Sequence, residues 1–489
     1  MTVLEGLQRV LGEVWPFLIP TLHLCGASWV TVDAVLRKRH VPSVIGWVGL
    51  AWLAPVLGSL FYFAFGINRI QRSGTAQALR AAWEERGGPP HDPRWEVTSE
   101  AFAARLPDLA GLEHLGARVT RSPLLAGNAI EPLRDGDEAF PAMLEAIAGA
   151  RRSITLTTYI FDNDATGQEF LAALADAHAR GVAVRVLVDD VGSRYTRPPM
   201  IGLLRRAGVP VAAFLPTRVP RLFRYANLRN HRKLMVVDGR LGFCGGMNIR
   251  HGHRLRANPG SPTRCMQFAL RGPVVDDLQE AFAVDWAFAT GEQLVGEPWF
   301  VALEPAGEAL ARGVPDGPDA DIDNVLHLLI GALAVARRSV RIVTPYFVPD
   351  GELLRAIRVA ALRGVRVELL LPARSNLPFV DWARNPQLPF LLHSGCEVHL
   401  SGPPFDHSKL MVVDGAWSLV GSTNWDARSL RLNFEYNVEV YDAAFAQRLE
   451  AIVDAKREGA TRLTLESLEA RPFALRLRDG LARLLSPYL

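Results

Sequence analysis

Residues 230–248, NHRKLMVVDGRLGFCGGMN, and residues 406–424, DHSKLMVVDGAWSLVGSTN, align without a gap. His231, Lys233, Asp238, Gly245, Gly246 and Asn248 of the first recur as His407, Lys409, Asp414, Gly421, Ser422 and Asn424 of the second. The shared LMVVD run reads as a buried strand ending at a turn. Side chains two apart on an extended chain project to one face, so each His and its Lys point together. A lone His-x-Lys carries little information. Two copies with the same flanks, holding two of the chain's four lysines (Lys38, Lys233, Lys409, Lys456), carry much more.

The repeat extends outward. AGARRSITLTTYIFDNDATGQEFLAALADAHARGVAVRVLVDD, from Ala148, answers to AVARRSVRIVTPYFVPDGELLRAIRVAALRGVRVELLLP, from Ala334. Each copy gives a helical run, a β-branched strand (Ser153 to Phe161; Ser339 to Val348), an amphipathic helix, and a Gly-Val pair opening another strand. Alternation of this kind predicts an α/β fold with a largely parallel sheet in each of two halves, related by a pseudo-twofold and forming one catalytic unit. The expected layout is a membrane anchor over 1–70, a polar linker over 71–120, a first half over 121–290 and a Pro-rich connector over 291–322. A second half over 323–465 and an amphipathic, Arg-bearing tail over 466–489 complete it.

Hydrophobic content of 49% and charged content of 21% exclude a largely disordered chain. A formal charge of +3 gives no footprint for a nucleic-acid partner. The four cysteines are scattered, with neither a disulfide framework nor a zinc-ligand spacing. From Val41 to Asn68 no residue is charged, which is length enough to span a bilayer. The earlier stretch, Val14 to Val32, carries Pro16, Pro20 and His23 and is the weaker signal. Together they predict a transmembrane helical hairpin. Its orientation is not fixed by charge, because Arg37, Lys38 and Arg39 in the connector compete with Arg69 and Arg72 beyond it.

Two facing His-x-Lys pairs would surround one pocket with two imidazoles, two ammonium groups and the amides of Asn248 and Asn424. That set suits a tetrahedral phosphate. The lysines neutralise non-bridging oxygens, the amides donate hydrogen bonds, and the imidazoles flank phosphorus without a metal ion. Buried cations beside histidines would be costly with no anion to receive. Asp238 and Asp414 complete the two motifs as catalytic candidates, although their position suits strand-end structural residues better than proton carriers.

These residues resemble the bacterial cardiolipin synthases of the phospholipase D superfamily. The likeness rests on both HxKxxxxD motifs, the apolar N-terminal segments with FGINR near Phe65, and FAVDWAFATGE near Trp286. The resemblance implies phosphatidyl transfer at a bacterial inner membrane through a multi-pass anchor, with phosphatidylglycerol as phospholipid substrate and no cofactor. It implies a phosphohistidine on His231, with His407 as acid and then base, and Glu435 orienting the second-motif His407. The alternative on the same fold is a phospholipase D-type hydrolase, or transfer with another donor or acceptor alcohol. One departure stands out. Where the family has an acid shortly before Gly-Pro, TRCMQFALRGP places Cys265, with Gln267 where a His is common. Either a different acid supports His231, or the roles of the two histidines are altered, or activity is weakened.

Overall fold

A computed structural model describes residues 3–37, 41–66, 70, 73–86, 91–217, 225 and 227–486. Two compact units emerge: residues 1–70 with 217–228, and residues 71–216 with 229–489.

In the first unit the helix Val3–Arg37 packs against the helices Val41–Leu53 and Leu57–Phe61. Small residues make this possible. A Cβ on Gly26 would meet Ser59 Oγ at 2.7 Å, and one on Gly58 would collide with the Leu50 carbonyl oxygen. Tyr62 Oη donates to Asp33 Oδ2 at 2.7 Å, and Trp52 Nε1 donates to Thr31 Oγ1 at 3.0 Å. The expected ranking of the two apolar segments is reversed. Val14–Arg37 is the one described helix long and apolar enough to cross a membrane, with Trp15, Phe17, Leu22 and Leu24 exposed along it. The more apolar segment after Val41 is interrupted. Pro55 and Val56, the latter at φ 61°, end its first helix, and Leu57–Phe61 and a π-turn over Tyr62–Gly66 come next. A multi-pass anchor is therefore not supported by helix length. Lys38, Arg39, Arg69 and Arg72, weighed for orientation, and the end of FGINR lie outside the described residues.

In the second unit seven strands recur in each half among the described residues. The first set is β1 Leu124–Arg134, β2 Ser153–Thr158, β3 Ala183–Asp189, β4 Val211–Phe214, β5 Leu234–Val237, β6 Leu241–Gly245 and β7 Met266–Arg271. The second is β8 Ala309–Asp316, β9 Ser339–Val343, β10 Arg366–Pro372, β11 Glu397–Ser401, β12 Leu410–Val413, β13 Trp417–Gly421 and β14 Asn433–Tyr441. The spatial order β4-β3-β2-β5-β6-β7-β1 is repeated as β11-β10-β9-β12-β13-β14-β8. The halves meet where β8 pairs with β1, Ala311 opposite Leu125.

The sheet is mixed, not largely parallel. Among these fourteen strands only β2-β3-β4 and β9-β10-β11 pair with one another in parallel, joined by helical crossovers. The LMVV strands β5 and β12 instead turn back tightly through Asp238-Gly239 and Asp414-Gly415, all four at positive φ, so they pair antiparallel with β6 and β13. Gly181 (φ 89°) and Gly364 (φ 90°) end the crossover helices in the left-handed region. Arg180 and Arg363 just before them donate to the carbonyls of Ala148 and Ala334, capping the preceding helix of each half.

Stretch 71–120 is not a linker where it is described. Phe102, Leu109 and Leu112, on and beside helices Ser99–Arg105 and Ala110–Thr120, are buried in the core of the second half. There the fully buried Arg312 of β8 donates to the Glu113 carbonyl at 3.1 Å and to Glu439 Oε1 of β14 at 2.6 Å. The connector 291–322 likewise contains β8.

Candidate active site

Both His-x-Lys pairs sit where the halves meet. Arg229–Asn230 pairs in parallel with Asn433 and Phe434 at the start of β14, and His231 N–H then donates to the Phe434 carbonyl at 2.8 Å. The second half returns the arrangement. Phe405–Asp406 pairs in parallel with Thr263–Arg264, and His407 N–H donates to the Arg264 carbonyl at 2.7 Å. Reciprocal contacts of this kind are what a twofold relation requires.

The imidazoles have different supports. His231 Nδ1 lies 2.9 Å from Glu435 Oε1 and 3.1 Å from Oε2, so Nδ1–H donates to the carboxylate and the lone pair on Nε2 stays free. Glu435 was expected beside His407; it serves the other histidine. The strand register gives the reason. Asn437 of β14 faces Gly421 and Gln267 of β7 faces Gly245, so Glu435 and Cys265, each two residues earlier, are equivalent positions. Each reaches across the pseudo-twofold to the histidine of the opposite half. The acid supporting His231 is thus Glu435, and the thiol falls to His407.

Glu435 is itself held by Ser422 Oγ at 2.5 Å and Asn433 Nδ2 at 3.3 Å. Burial alone would push its carboxyl up, but the adjacent His231 and Lys233 outweigh that and hold it below the usual range. Around His407 neither support recurs, because Gly246 stands where Ser422 does and Thr263 where Asn433 does. His407 Nδ1 lies 3.1 Å from the Gly246 carbonyl oxygen, and Cys265 Sγ lies 3.9 Å from Nδ1 and donates to the His407 carbonyl at 3.4 Å. Burial pushes the Cys265 thiol up to about 12, so it is no anion.

Burial first, and neighbouring cations after it, depress the bases. His231 falls to about 4, and His407 lies well below its ordinary value. Burial likewise lowers Lys233 to about 7 and Lys409 to about 8. Lys409 acts on His231, and both Lys233 and His231 act on His407, so the four groups share one electrostatic environment. Lys233 Nζ and Lys409 Nζ donate to the carbonyls of His231 and His407 at 2.5 and 2.6 Å, and Lys409 Nζ lies 2.9 Å from His407 Nδ1.

Asn248 Oδ1 accepts from Ile160 N–H at 3.1 Å, while Asn424 Nδ2 donates to Ser429 Oγ at 3.0 Å and its buried Oδ1 has no partner. Asp238 and Asp414 do not belong to the pocket. Each carboxylate accepts from three successive backbone N–H groups, of Arg151, Arg152 and Ser153 or of Arg337, Arg338 and Ser339. A four-residue strand separates each from its lysine, about 16 Å at 3.3 Å per residue. Two aromatic walls were missed: Tyr159 lies 5.1 Å from the His231 ring and Tyr346 5.9 Å from that of His407. Their signal was present, as the repeated tyrosine of TTYIF and TPYF. Among the described residues no group of three His, Cys, Asp or Glu side chains is arranged to hold a metal ion.

Comparison with known proteins agrees with this geometry. The family described as cardiolipin synthase, PLD-like domain, matches residues 143–258 and 329–456, one segment in each half. The chain is 32% identical to the cardiolipin synthase of Geobacillus sp. (strain WCH70) over 95% of its own length and 92% of that protein. It is also 32% identical to the major cardiolipin synthase of Bacillus subtilis (strain 168), over 93% and 95%. In fold it is similar to the phosphatidylserine synthase of Haemophilus influenzae Rd KW20, with a TM-score of 0.60, 16% identity, and coverage of 77% of this chain and 100% of that one. A duplicated His-x-Lys site assembled across two like halves, and near full-length likeness to these enzymes, place the chain in the cardiolipin synthase family, phosphatidyltransferases of the phospholipase D superfamily.

Proposed function

We propose that the chain transfers a phosphatidyl group from one phosphatidylglycerol to the primary hydroxyl of another, giving cardiolipin and glycerol. The observation that carries the reading is the His231–Glu435 pair at 2.9 Å, which leaves Nε2 as a neutral, oriented nucleophile. Nε2 attacks phosphorus, the bond from phosphorus to the glycerol oxygen breaks, and a phosphohistidine forms. The departing alkoxide takes a proton from His407. An incoming phosphodiester anion supplies the charge that lets His407 hold that proton. His407 then removes the proton of the acceptor hydroxyl, whose oxygen attacks phosphorus as the bond to Nε2 breaks. Lys233 and Lys409 neutralise the non-bridging oxygens. Asn248 presents its amide N–H groups, and Asn424 does the same once its amide ends exchange so that Ser429 donates to Oδ1.

The proposed setting is a bacterial inner membrane, with Val14–Arg37 as anchor and lipid as both donor and acceptor. Its long, largely exposed apolar surface supports this. The test is incubation of the detergent-solubilised protein with labelled phosphatidylglycerol. Equal yields of cardiolipin and glycerol, lost in His231→Ala and His407→Ala, support transfer, and phosphatidic acid as the main product overturns it in favour of hydrolysis.

A further inference from the structure

The C-terminal helix Phe473–Arg483 has its polarity reversed. Its buried side centres on an ion-paired carboxylate beside one small apolar contact, Ala482: Asp479, 1% exposed, is bound by Arg471 at 2.6 Å, Arg478 at 2.7 Å and Asn385 Nδ2 at 2.9 Å. Its outward side is apolar. Phe473, Leu477, Leu481 and Leu484 are 77, 51, 57 and 73% exposed. At about 100° per residue they fall in one sector some 80° wide, opposite Asp479. Surface helices of water-facing domains show the opposite arrangement, and a contiguous apolar stripe marks an interaction surface.

The stripe continues onto neighbouring elements. Arg478 stacks over Trp382 at 4.3 Å, and Arg483 lies 5.9 Å from the ring of Phe390, which is itself exposed, as is Leu377. The buried side of the helix leads inward. Ala482 packs with Val348, Val380 and Ala383, and Tyr346, against the same cluster, lies 5.9 Å from the His407 ring. An apolar and aromatic wall thus runs from the helix to one of the two histidines.

We propose that Phe473–Arg483 is an interfacial helix that lays the catalytic body on a bilayer containing anionic phospholipid, beside the entrance to the site. Charge chooses the occupant. Arg476 and Arg483 border the stripe, and neither forms an ion pair among the described residues. A second copy docking isologously would bring the same cations to that edge, whereas anionic headgroups neutralise them. The inference does not rest on the proposed reaction, because docking is read without turnover.

The test uses the full chain with its exposed Cys25 replaced by serine, and an environment-sensitive fluorophore on Leu477→Cys or, as control, on the exposed Thr461→Cys. The protein is reconstituted into vesicles of phosphatidylcholine with or without about one third phosphatidylglycerol, with nitroxide-bearing lipid as quencher. The expected result is several-fold stronger quenching at 477 than at 461, enhanced by phosphatidylglycerol and abolished when Phe473→Glu and Leu481→Glu are added. Equal access of aqueous iodide to both positions in anionic vesicles overturns the proposal. So does concentration-dependent protection of position 477 in detergent alone, which assigns the stripe to a second copy. In turnover assays the Phe473→Glu/Leu481→Glu variant should slow on bilayer substrate and not on detergent-dispersed substrate. Equal loss in both overturns the docking role, and failure of the unmodified chain to turn over touches only the reaction.

Discussion

Glu435 belongs to the second half of the molecule, yet its carboxylate accepts the Nδ1–H of His231 from the first, Oε1 to Nδ1 at 2.9 Å. The exchange makes each half incomplete alone. It also makes the pair of histidines unequal, because the equivalent position facing His407 is Cys265, 3.9 Å from Nδ1.

Replacing Glu435 with glutamine should lower kcat by about 10²- to 10⁴-fold, by releasing the His231 tautomer and orientation. The carboxylate favours the imidazolium, so its loss moves the His231 pKa further down from about 4. The acid limb of kcat/KM should therefore move to lower pH while the plateau falls. A limb moving to higher pH would contradict the pairing.

Installing aspartate at Cys265 supplies the missing carboxylate beside His407. Burial, Lys409 and Lys233 hold that imidazole well below its ordinary pKa, and an adjacent anion acts against them. The pH dependence assigned to His407 should move to higher pH, with activity retained or increased. The pH profile of Cys265→Asp checks this, and a profile unchanged from the parent chain would show that position 265 does not reach the ring.

Anion binding should take up protons. Lys233 and Lys409, lowered by burial to about 7 and about 8, are partly neutral at pH 8, and a bound anion favours their charged forms. Calorimetry of inorganic phosphate binding at pH 8 in two buffers of different ionisation enthalpy should give uptake of roughly one proton or more. Uptake should shrink in Lys233→Met and in Lys409→Met. Zero uptake would mean that neither ammonium faces the anion.

Asp238→Ala and Asp414→Ala should cost stability and spare chemistry. Each removes the acceptor for three backbone N–H groups at the head of β2 or β9, a loss of about 1–3 kcal/mol. A lower Tm with kcat per folded molecule unchanged is expected. Lost kcat at unchanged Tm would return the two residues to the site.

Much of the architecture was legible because it is written twice. The aligned LMVVDG segments, the paired Arg-Gly-Val turns and the β-branched strands declare two like α/β halves, and the spacing of His to Lys declares which side chains share a face. Strand direction was less legible. Asp238-Gly239 and Asp414-Gly415 are hairpin signals that turn β5 and β12 back on the sheet, where the alternation with helices suggested parallel pairing. Apolar content also misled at the N-terminus: the uncharged run after Val41 is broken by Pro55 and Val56, while the helix carrying Pro16 and Pro20 is the long one.

The sequence by itself determined the composition of the site, two histidines, two lysines, an acid and a thiol, because residue identity and local spacing are one-dimensional facts. Only the tertiary structure decided which acid serves which histidine. That pairing depends on the register of β7 against β6 and of β14 against β13, and on short parallel bridges that cross between the halves. Contacts between residues about 200 positions apart, as Glu435 is from His231, are set by closing the whole sheet, and local pattern carries no trace of them.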